Sequence, residues 1–461
     1  MPIIIVIAAL AAAGWLGFMA AAGAQYSIVM VLGTAMVALF AFFSPKLSLL
    51  LLIFSMLLSP EINLAGLAGS GRNIVLRYDD ILLLIIFLSW LAKAAIIKDK
   101  PLVFRSPVQN PILLYTAVCV ISTAFGVMGG RIQWEIAVFY LLKYVEYFLL
   151  YFMAFNLIES KEEVRRYLKA GAIVAAIVTV YAVWYYFNAG PGARASTPFE
   201  APLGNPSESE PASLGGYYLL VFGLIFGVIS EMPFKNFIWS FAAMGAMLPA
   251  FILTLSRASY IGLFFSCAAA IFFSRQRRLF LIVVAALGVL AVSFSPFLSG
   301  RAKSRVQETY TGSQAATVFS TPVGDIRLEE SAALRVRSWQ RSVFFWLPKN
   351  VLIGNGVTGV GLSDAQLPLV IAETGIIGTV FWIWMIVVCF KVSWRLYRAS
   401  ADPFVRALSL GYVIGLIGLL WQSVGVNTFI IVRIMEPFWF LTAIVMKLSQ
   451  MEGEGEKTFR A

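Results

Sequence analysis

From its first residues to residue 296 the chain runs as one apolar stretch of about 20 residues after another, separated by short polar breaks. No water-soluble core requires that pattern, whereas a bilayer core about 30 Å thick imposes it on every crossing helix. The pattern resumes between residues 366 and 447, so spans are expected near 3–21, 25–43, 46–60, 79–97, 109–128, 133–157, 165–188, 212–231, 235–254, 258–274, 279–296, 366–390, 404–424 and 428–447. The expected fold is an all-α, polytopic membrane helix bundle of 12 to 14 transmembrane helices with one long extracytoplasmic loop, 297–364. Composition agrees, with 60% of residues hydrophobic and 13% charged. That balance excludes a soluble enzyme, a disordered chain and a secreted disulfide scaffold. The chain contains no histidine, which excludes histidine acid/base chemistry, histidine-based triads and histidine metal sites.

A net charge of +11 has to be placed in a chain that is mostly apolar. Short basic breaks fall on alternate sides of the expected spans. They are Lys46; Lys93, Lys98, Lys100 and Arg105; Lys161, Arg165, Arg166 and Lys169; Lys235; Arg275, Arg277 and Arg278; Lys391, Arg395, Arg398 and Arg406; and Lys447 onward. The positive-inside rule makes that side, and both termini, cytoplasmic. It takes 20 of the 35 basic residues; Lys143 lies within a span, and 14 face outward, eight of them in the loop 297–364. The small-residue run ending near Ala22 and Ala24 lacks the basic start of a signal peptide and is expected to be a retained span. Cys119, Cys267 and Cys389 fall inside spans as small buried hydrophobes. Neither an internal repeat nor a glycine-rich phosphate loop is visible. The tail 449–461, with Glu452, Glu454 and Glu456, reads as a solvated cytoplasmic end.

Within the long loop, residues 329–347 have helical character: acidic residues in the first turn, then Val336, Trp339, Val343 and Trp346, with Pro348 ending it. Arg337 and Arg341 share the face opposite that stripe and Arg335 flanks it. Such a helix can lie in the outer interface with its guanidinium groups presented to lipid phosphates or to an anionic lipid-linked substrate. Arg257 sits in the tight break Thr254-Leu255-Ser256-Arg257-Ala258-Ser259, and Arg194 in another loop on the same side. Snorkelling would account for either, yet charges at a membrane edge are functional candidates by default. Guanidinium is always charged and bidentate, which suits a diphosphate better than a lysine point charge does.

Arg194-Ala195-Ser196 with Gly204-Asn205-Pro206, Ser256-Arg257 opening a span, Arg337-Ser338-Trp339 leading into Leu352-Ile353-Gly354-Asn355-Gly356, Ala372-Glu373-Thr374-Gly375-Ile376-Ile377-Gly378, and Phe438-Trp439-Phe440 together resemble the O-antigen ligase and O-antigen polymerase superfamily. The resemblance covers roughly residues 130–448, dividing the chain into N-terminal membrane helices (1–130), a catalytic membrane region (131–448) and the tail (449–461). It implies a bacterial inner-membrane glycosyltransferase that transfers a glycan from an undecaprenyl diphosphate carrier to a hydroxyl of an acceptor glycan, with no cofactor and no metal. The implied partners are the lipid-linked donor, a glycan or lipid-linked acceptor, membrane lipids and a chain-length regulator, with no nucleic acid. In the ligases a histidine-asparagine pair commonly stands about eleven residues before the glycine of the Glu-Thr-Gly turn; here that place holds Asp364-Ala365. The missing histidine shifts the expectation from a ligase toward an O-antigen or exopolysaccharide polymerase.

The expected site follows. Arg257 is the principal diphosphate ligand, Arg337 and Arg341, or Arg335, complete the clamp, and Arg194 assists. Asp364 is the candidate base for the acceptor hydroxyl, its alternative role being to cap the span that follows. Transfer in one displacement inverts the anomeric carbon. Lys143 and Glu146 are expected to pair within their span, and with Arg433 they form a secondary set of candidates. Arg77-Tyr78-Asp79-Asp80 is read as a capping and ion-paired helix start, with a metal site as the alternative. A lipid-linked-sugar transporter or flippase would also be polytopic and basic, though more often with two related halves and midplane charges. A peptidoglycan-type polymerase of similar span count is a further reading.

Overall fold

A computed structural model of the chain describes residues 36–63, 75–97, 105–200, 209–275, 277–297, 299–300, 303–304, 317–321, 324–328, 330–361 and 363–460. The elements are α1 (Pro45–Leu58), β1 (Glu61–Asn63), β2 (Val75–Arg77), α2 (Tyr78–Ile97), α3 (Gln109–Met128), α4 (Trp134–Leu157), α5 (Lys161–Asn188), α6 (Pro211–Glu231), α7 (Phe234–Leu253), α8 (Arg257–Phe273), α9 (Arg278–Phe294), β3 (Thr317–Thr321), β4 (Gly324–Leu328), α10 (Glu330–Arg341), α11 (Gln366–Ala399), α12 (Pro403–Gln422) and α13 (Val432–Arg460). Among the described residues six helices, α3 to α6, α11 and α12, are long and apolar enough to cross a membrane, and shorter apolar helices lie at Pro45–Leu58, Ile238–Leu253, Arg257–Phe273 and Arg278–Leu290. The expected span at 3–21 and most of that at 25–43 lie outside the described residues.

Local chemistry sets the boundaries. Ser160 caps α5 by accepting the Glu163 N–H at 3.2 Å, with Glu162 and Glu163 in the first turn. Asp402 caps α12 by accepting the Phe404 N–H at 2.9 Å, and Pro403 opens that helix. The packing centre is α6 against α12, where glycines let the backbones touch: a Cβ at Gly227 would lie 2.0 Å from the Ala407 carbonyl oxygen, and one at Gly223 2.5 Å from the Gly415 nitrogen. Helix α13 joins α4 through Trp439, whose ring meets Phe148 and Tyr151 edge to face at 4.9 and 5.6 Å.

Helix α11 is broken at Gly375, with φ 64° and ψ −164°. The loop before it repairs the break. Asn355 N–H and Gly356 N–H donate to the carbonyls of Ala372 (3.0 Å) and Glu373 (2.8 Å), and the N–H groups of Ile376 and Ile377 donate back to Val351 (2.9 Å) and Leu352 (3.1 Å). Groups freed by the kink therefore stay satisfied, as an apolar surrounding demands. Gly354 and Gly375 face each other across this pairing: a Cβ on either would sit 2.4 Å from a backbone oxygen, that of Glu373 or Leu352.

Several expectations are corrected. The tail is helical, because α13 runs on to Arg460, and Glu452 is bound: it accepts from Lys161 Nζ at 2.7 Å and Ser400 Oγ at 3.1 Å. Helix α10 ends at Arg341, short of 347, and passes into a π-turn, Ser342–Trp346, and a 3₁₀ turn, Leu347–Lys349. The π-turn rotates the anticipated stripe. Phe344 is left 78% exposed, while Trp346 packs with Val360, Leu369 and Ala372. Among the described residues two hairpins, β1–β2 and β3–β4, stand between the helices; three- and five-residue alternations are too short to read without their partners.

Candidate functional site

One strained turn positions two of the predicted arginines. Leu255 takes φ 50° after α7, and Ser256 then caps α8 by accepting the Ser259 N–H at 3.4 Å, so Arg257 is the first helical residue. The loop carrying Arg194 is stitched to the same turn, the Ala195 N–H donating to the Leu253 carbonyl at 2.9 Å. Gln422, at the end of α12, donates its amide to Ala212 O (2.9 Å) and Ser259 Oγ (3.0 Å), drawing the starts of α6 and α8 together. Beyond it, Gln366 accepts the Phe429 N–H at 2.9 Å, Asn427 donates to the Ser363 carbonyl, and the Asp364 N–H donates to Ser338 Oγ at 3.2 Å. These amides fix where Asp364 stands. The helix cap at α11 is Ala365, without a side-chain bond, so the capping role weighed for Asp364 is not the one it takes.

The resulting cavity, about 580 Å³, is lined by Arg194, Arg257, Arg335, Asp364, Lys143 and Arg433, residues from six separate segments. Arg335 donates through Nε to the Gly425 carbonyl at 2.7 Å, which orients its guanidinium at the cavity wall. Arg337 and Arg341 are placed elsewhere. Both are exposed and line a neighbouring pocket of about 680 Å³. Residue 337 lies about 200° round the helix from residue 335, so α10 cannot present both to one cavity. The two cavities share Leu334 and Asp364.

Lys143 pairs with Asp80 as well as with Glu146, the latter at 3.4 Å. Glu146 lies behind the cavity wall, apart from its lining. Arg77 pairs with Asp79 at 2.7 Å, whereas Asp80 accepts the Arg77 backbone N–H at 2.7 Å, so the anticipated Arg77 to Asp80 ion pair is replaced by a backbone cap. Arg433 is a brace: its guanidinium donates to Glu61 (2.7 Å), Thr197 Oγ1 (2.5 Å) and the Pro198 carbonyl (2.6 Å), fastening β1 and the Arg194 loop to α13. Gly204-Asn205-Pro206 lies outside the described residues.

Three carboxylates on the cavity wall, Glu61, Glu200 and Glu210, escape the sequence reading. Glu200 accepts from Ser213 Oγ (2.6 Å), Thr197 Oγ1 (2.7 Å) and the Thr197 N–H (3.0 Å); burial raises its pKa against the pull of Arg433 and these bonds. Glu210 is exposed at the cavity. The surrounding protein still removes part of its hydration, and with Glu200 and Glu61 nearby its carboxyl is pushed up to about 7. The signal available in the sequence was Glu210 directly before Pro211, a helix start on the same side as Arg194 and Arg257.

The cavity thus offers arginines fit for an oxyanion and carboxylates fit to take a proton from a hydroxyl, a combination suited to displacement of a phosphorylated leaving group. No protein-family model matches the chain, and no curated protein matches it significantly.

Proposed function

We propose that the chain is a glycosyltransferase of the bacterial cytoplasmic membrane that moves a glycan from an undecaprenyl diphosphate carrier to a hydroxyl of an acceptor glycan on the outer face. The observation that carries the reading is the position of Asp364 on the wall common to two cavities, one lined by Arg194, Arg257 and Arg335, the other by Arg337 and Arg341. The first suits the donor's diphosphate and the second an acceptor. The basic breaks support a cytoplasmic side opposite the cavity: Lys161, Arg165, Arg275, Arg398 and Arg406 lie at the helix ends opposite those that open the cavity at Pro211, Arg257 and Val432.

In the proposed reaction the acceptor oxygen forms a bond to the anomeric carbon as the bond from that carbon to the diphosphate oxygen breaks, inverting the centre. Undecaprenyl diphosphate leaves with the electron pair, and Arg257, assisted by Arg194 and Arg335, stabilises the charge developing on it. The acceptor proton passes to Asp364; Glu210 is the second carboxylate placed to receive it. Neither metal nor cofactor enters the step.

Purified protein incubated in detergent with a lipid-diphosphate glycan tests this directly. Glycosidic transfer with release of the lipid diphosphate is expected, and Arg257→Ala should lower its rate by about 10²–10³. Normal turnover by a well-folded Arg257→Ala protein would sink the assignment. Movement of intact donor across a sealed vesicle without bond change would indicate a transporter. In a deletion strain, single repeats on the acceptor mark a polymerase, whereas long chains accumulating on the carrier mark a ligase.

A further inference from the structure

Behind the floor of the cavity, where Arg77 and Lys143 form part of the lining, four carboxylates converge: Asp79 and Asp80 from the start of α2, Glu146 from α4 and Glu436 from α13. All four are at least nine-tenths buried, as are Arg77 and Lys143. Four negative groups against two positive ones leave two negative charges over (4 − 2 = 2) in a region screened from water. An uncompensated buried charge costs several kcal/mol, so the excess has to be neutralised.

The hydrogen bonding shows where. Each aspartate spends one oxygen on a cation and keeps the other. Asp79 Oδ2 lies 2.7 Å from Arg77, and Asp79 Oδ1 has no hydrogen-bond partner. Asp80 Oδ2 meets Lys143 and the Arg77 N–H, and Asp80 Oδ1 has none. Glu436 Oε2 stands 3.9 Å from Arg77, too far for a hydrogen bond, and is likewise buried without a partner. Glu146, outside this trio and 7% exposed, adds a buried, unpartnered Oε1 beside the Lys143 that Asp80 holds. These four buried acceptors stand beside donors that are also incompletely bonded, Arg77 Nε and Nη1 and Lys143 Nζ, so the cluster lacks a centre that draws the oxygens together and supplies the missing positive charge.

We propose that Asp79, Asp80 and Glu436 hold one divalent cation of the hard, oxygen-preferring class, Mg²⁺ or Ca²⁺. One ligand oxygen from each lies within 4.8 Å of the others. Oxygen ligands stand about 2.0–2.6 Å from such ions, so two on opposite sides of one ion are about 4–5 Å apart, and all three can reach a common centre. A double positive charge cancels the excess, and Glu146 supplies a further acceptor on the Lys143 side. The ion ties α2 to α13 and fixes Arg77 and Lys143 at the cavity floor without entering the transfer step, so this site stands or falls independently of the glycosyltransferase reading.

The test uses the full-length protein in detergent, stripped with a chelator and titrated with Mn²⁺ followed by electron paramagnetic resonance. One Mn²⁺ per chain is expected, displaced by Mg²⁺ or Ca²⁺, with a rise in melting temperature on loading. Asp79→Asn and Glu436→Gln should each weaken binding by at least about tenfold while eluting as folded protein. Glu146→Gln leaves all three ligands in place, so a smaller loss there keeps the site testable if the ligand variants fold poorly. Wild-type protein that binds no Mn²⁺ at millimolar concentration and melts identically with and without chelator overturns the proposal and assigns the neutralisation to two protons. Binding that survives both ligand substitutions overturns its location.

Discussion

At the scale of single residues, two arginines of the cavity are structural. Arg433 gives its guanidinium to Glu61, Thr197 and Pro198, and Arg77 gives its own to Asp79 and the Met56 carbonyl; both are buried framework. Arg257 stands at the first position of a helix, beside amide donors that favour an anion. Glu210 yields a pH prediction. Its folded-state pKa, about 7, lies above the ordinary 4.5, so between those values the folded protein binds more protons than the unfolded chain. Its contribution to stability is therefore fully present below about 4.5 and is lost as pH rises to about 7. Glu200, Glu61, Arg433 and Asp364 are the charged groups that act on it. Glu210→Gln should raise the melting temperature relative to wild type at pH 8 and lose that advantage at pH 4.5. An unchanged difference across the range would show that Glu210 does not titrate there.

At the scale of elements, the broken α11 and the loop that repairs it are one unit. Asn355 holds the loop from the side, its amide donating to the carbonyls of Trp346 (3.1 Å) and Ala372 (3.0 Å). Glu373 holds it from the helix, accepting the Thr358 N–H at 2.8 Å and the Tyr144 hydroxyl at 3.1 Å. Gly375→Ala should cost about 1–3 kcal/mol from backbone strain alone, with more from the 2.4 Å approach to Leu352 O. The readout is a lower melting temperature in detergent and a poorer yield of folded protein. A neighbouring substitution without either problem, Ile377→Ala on the 37% exposed face, serves as the control and should lie close to wild type. Equal behaviour of the two would mean that the kink is not sterically enforced.

For the whole molecule the question is which end of the bundle faces out. Single cysteines at positions 341 and 395 in intact cells answer it. Position 341 should react with a membrane-impermeant maleimide from outside and position 395 only after permeabilisation, in a Cys267→Ser background because Cys267 is half-buried while Cys119 and Cys389 are buried. The opposite pattern would invert the topology and remove the proposed outward-facing site.

Much of this architecture was legible in the sequence because crossing a bilayer is a local requirement. Helices α1 to α9 and α12 begin and end within a few residues of the apolar stretches, whereas α11 runs on to Ala399, past the expected end at 390; caps such as Ser160 and Asp402 are written beside them. The tight turn at Thr254–Ser259 was legible too, since an arginine between apolar segments is visible without neighbours. The convergence of residues was not. That Arg335 rather than Arg337 shares a cavity with Arg257 depends on how α10 is rotated against Gly425. That Asp364 lies between two cavities depends on Ser338 and Asn427, and the gathering of Asp79, Asp80, Glu146 and Glu436 depends on packing among α2, α4 and α13. Hydrophobic period and charge bias are summed along the chain, so the sequence alone located the apolar helices and carries the charge asymmetry from which their sides are inferred. Cavities and buried charge clusters come from side chains far apart in sequence, and only the packing of the helices decided which of them meet.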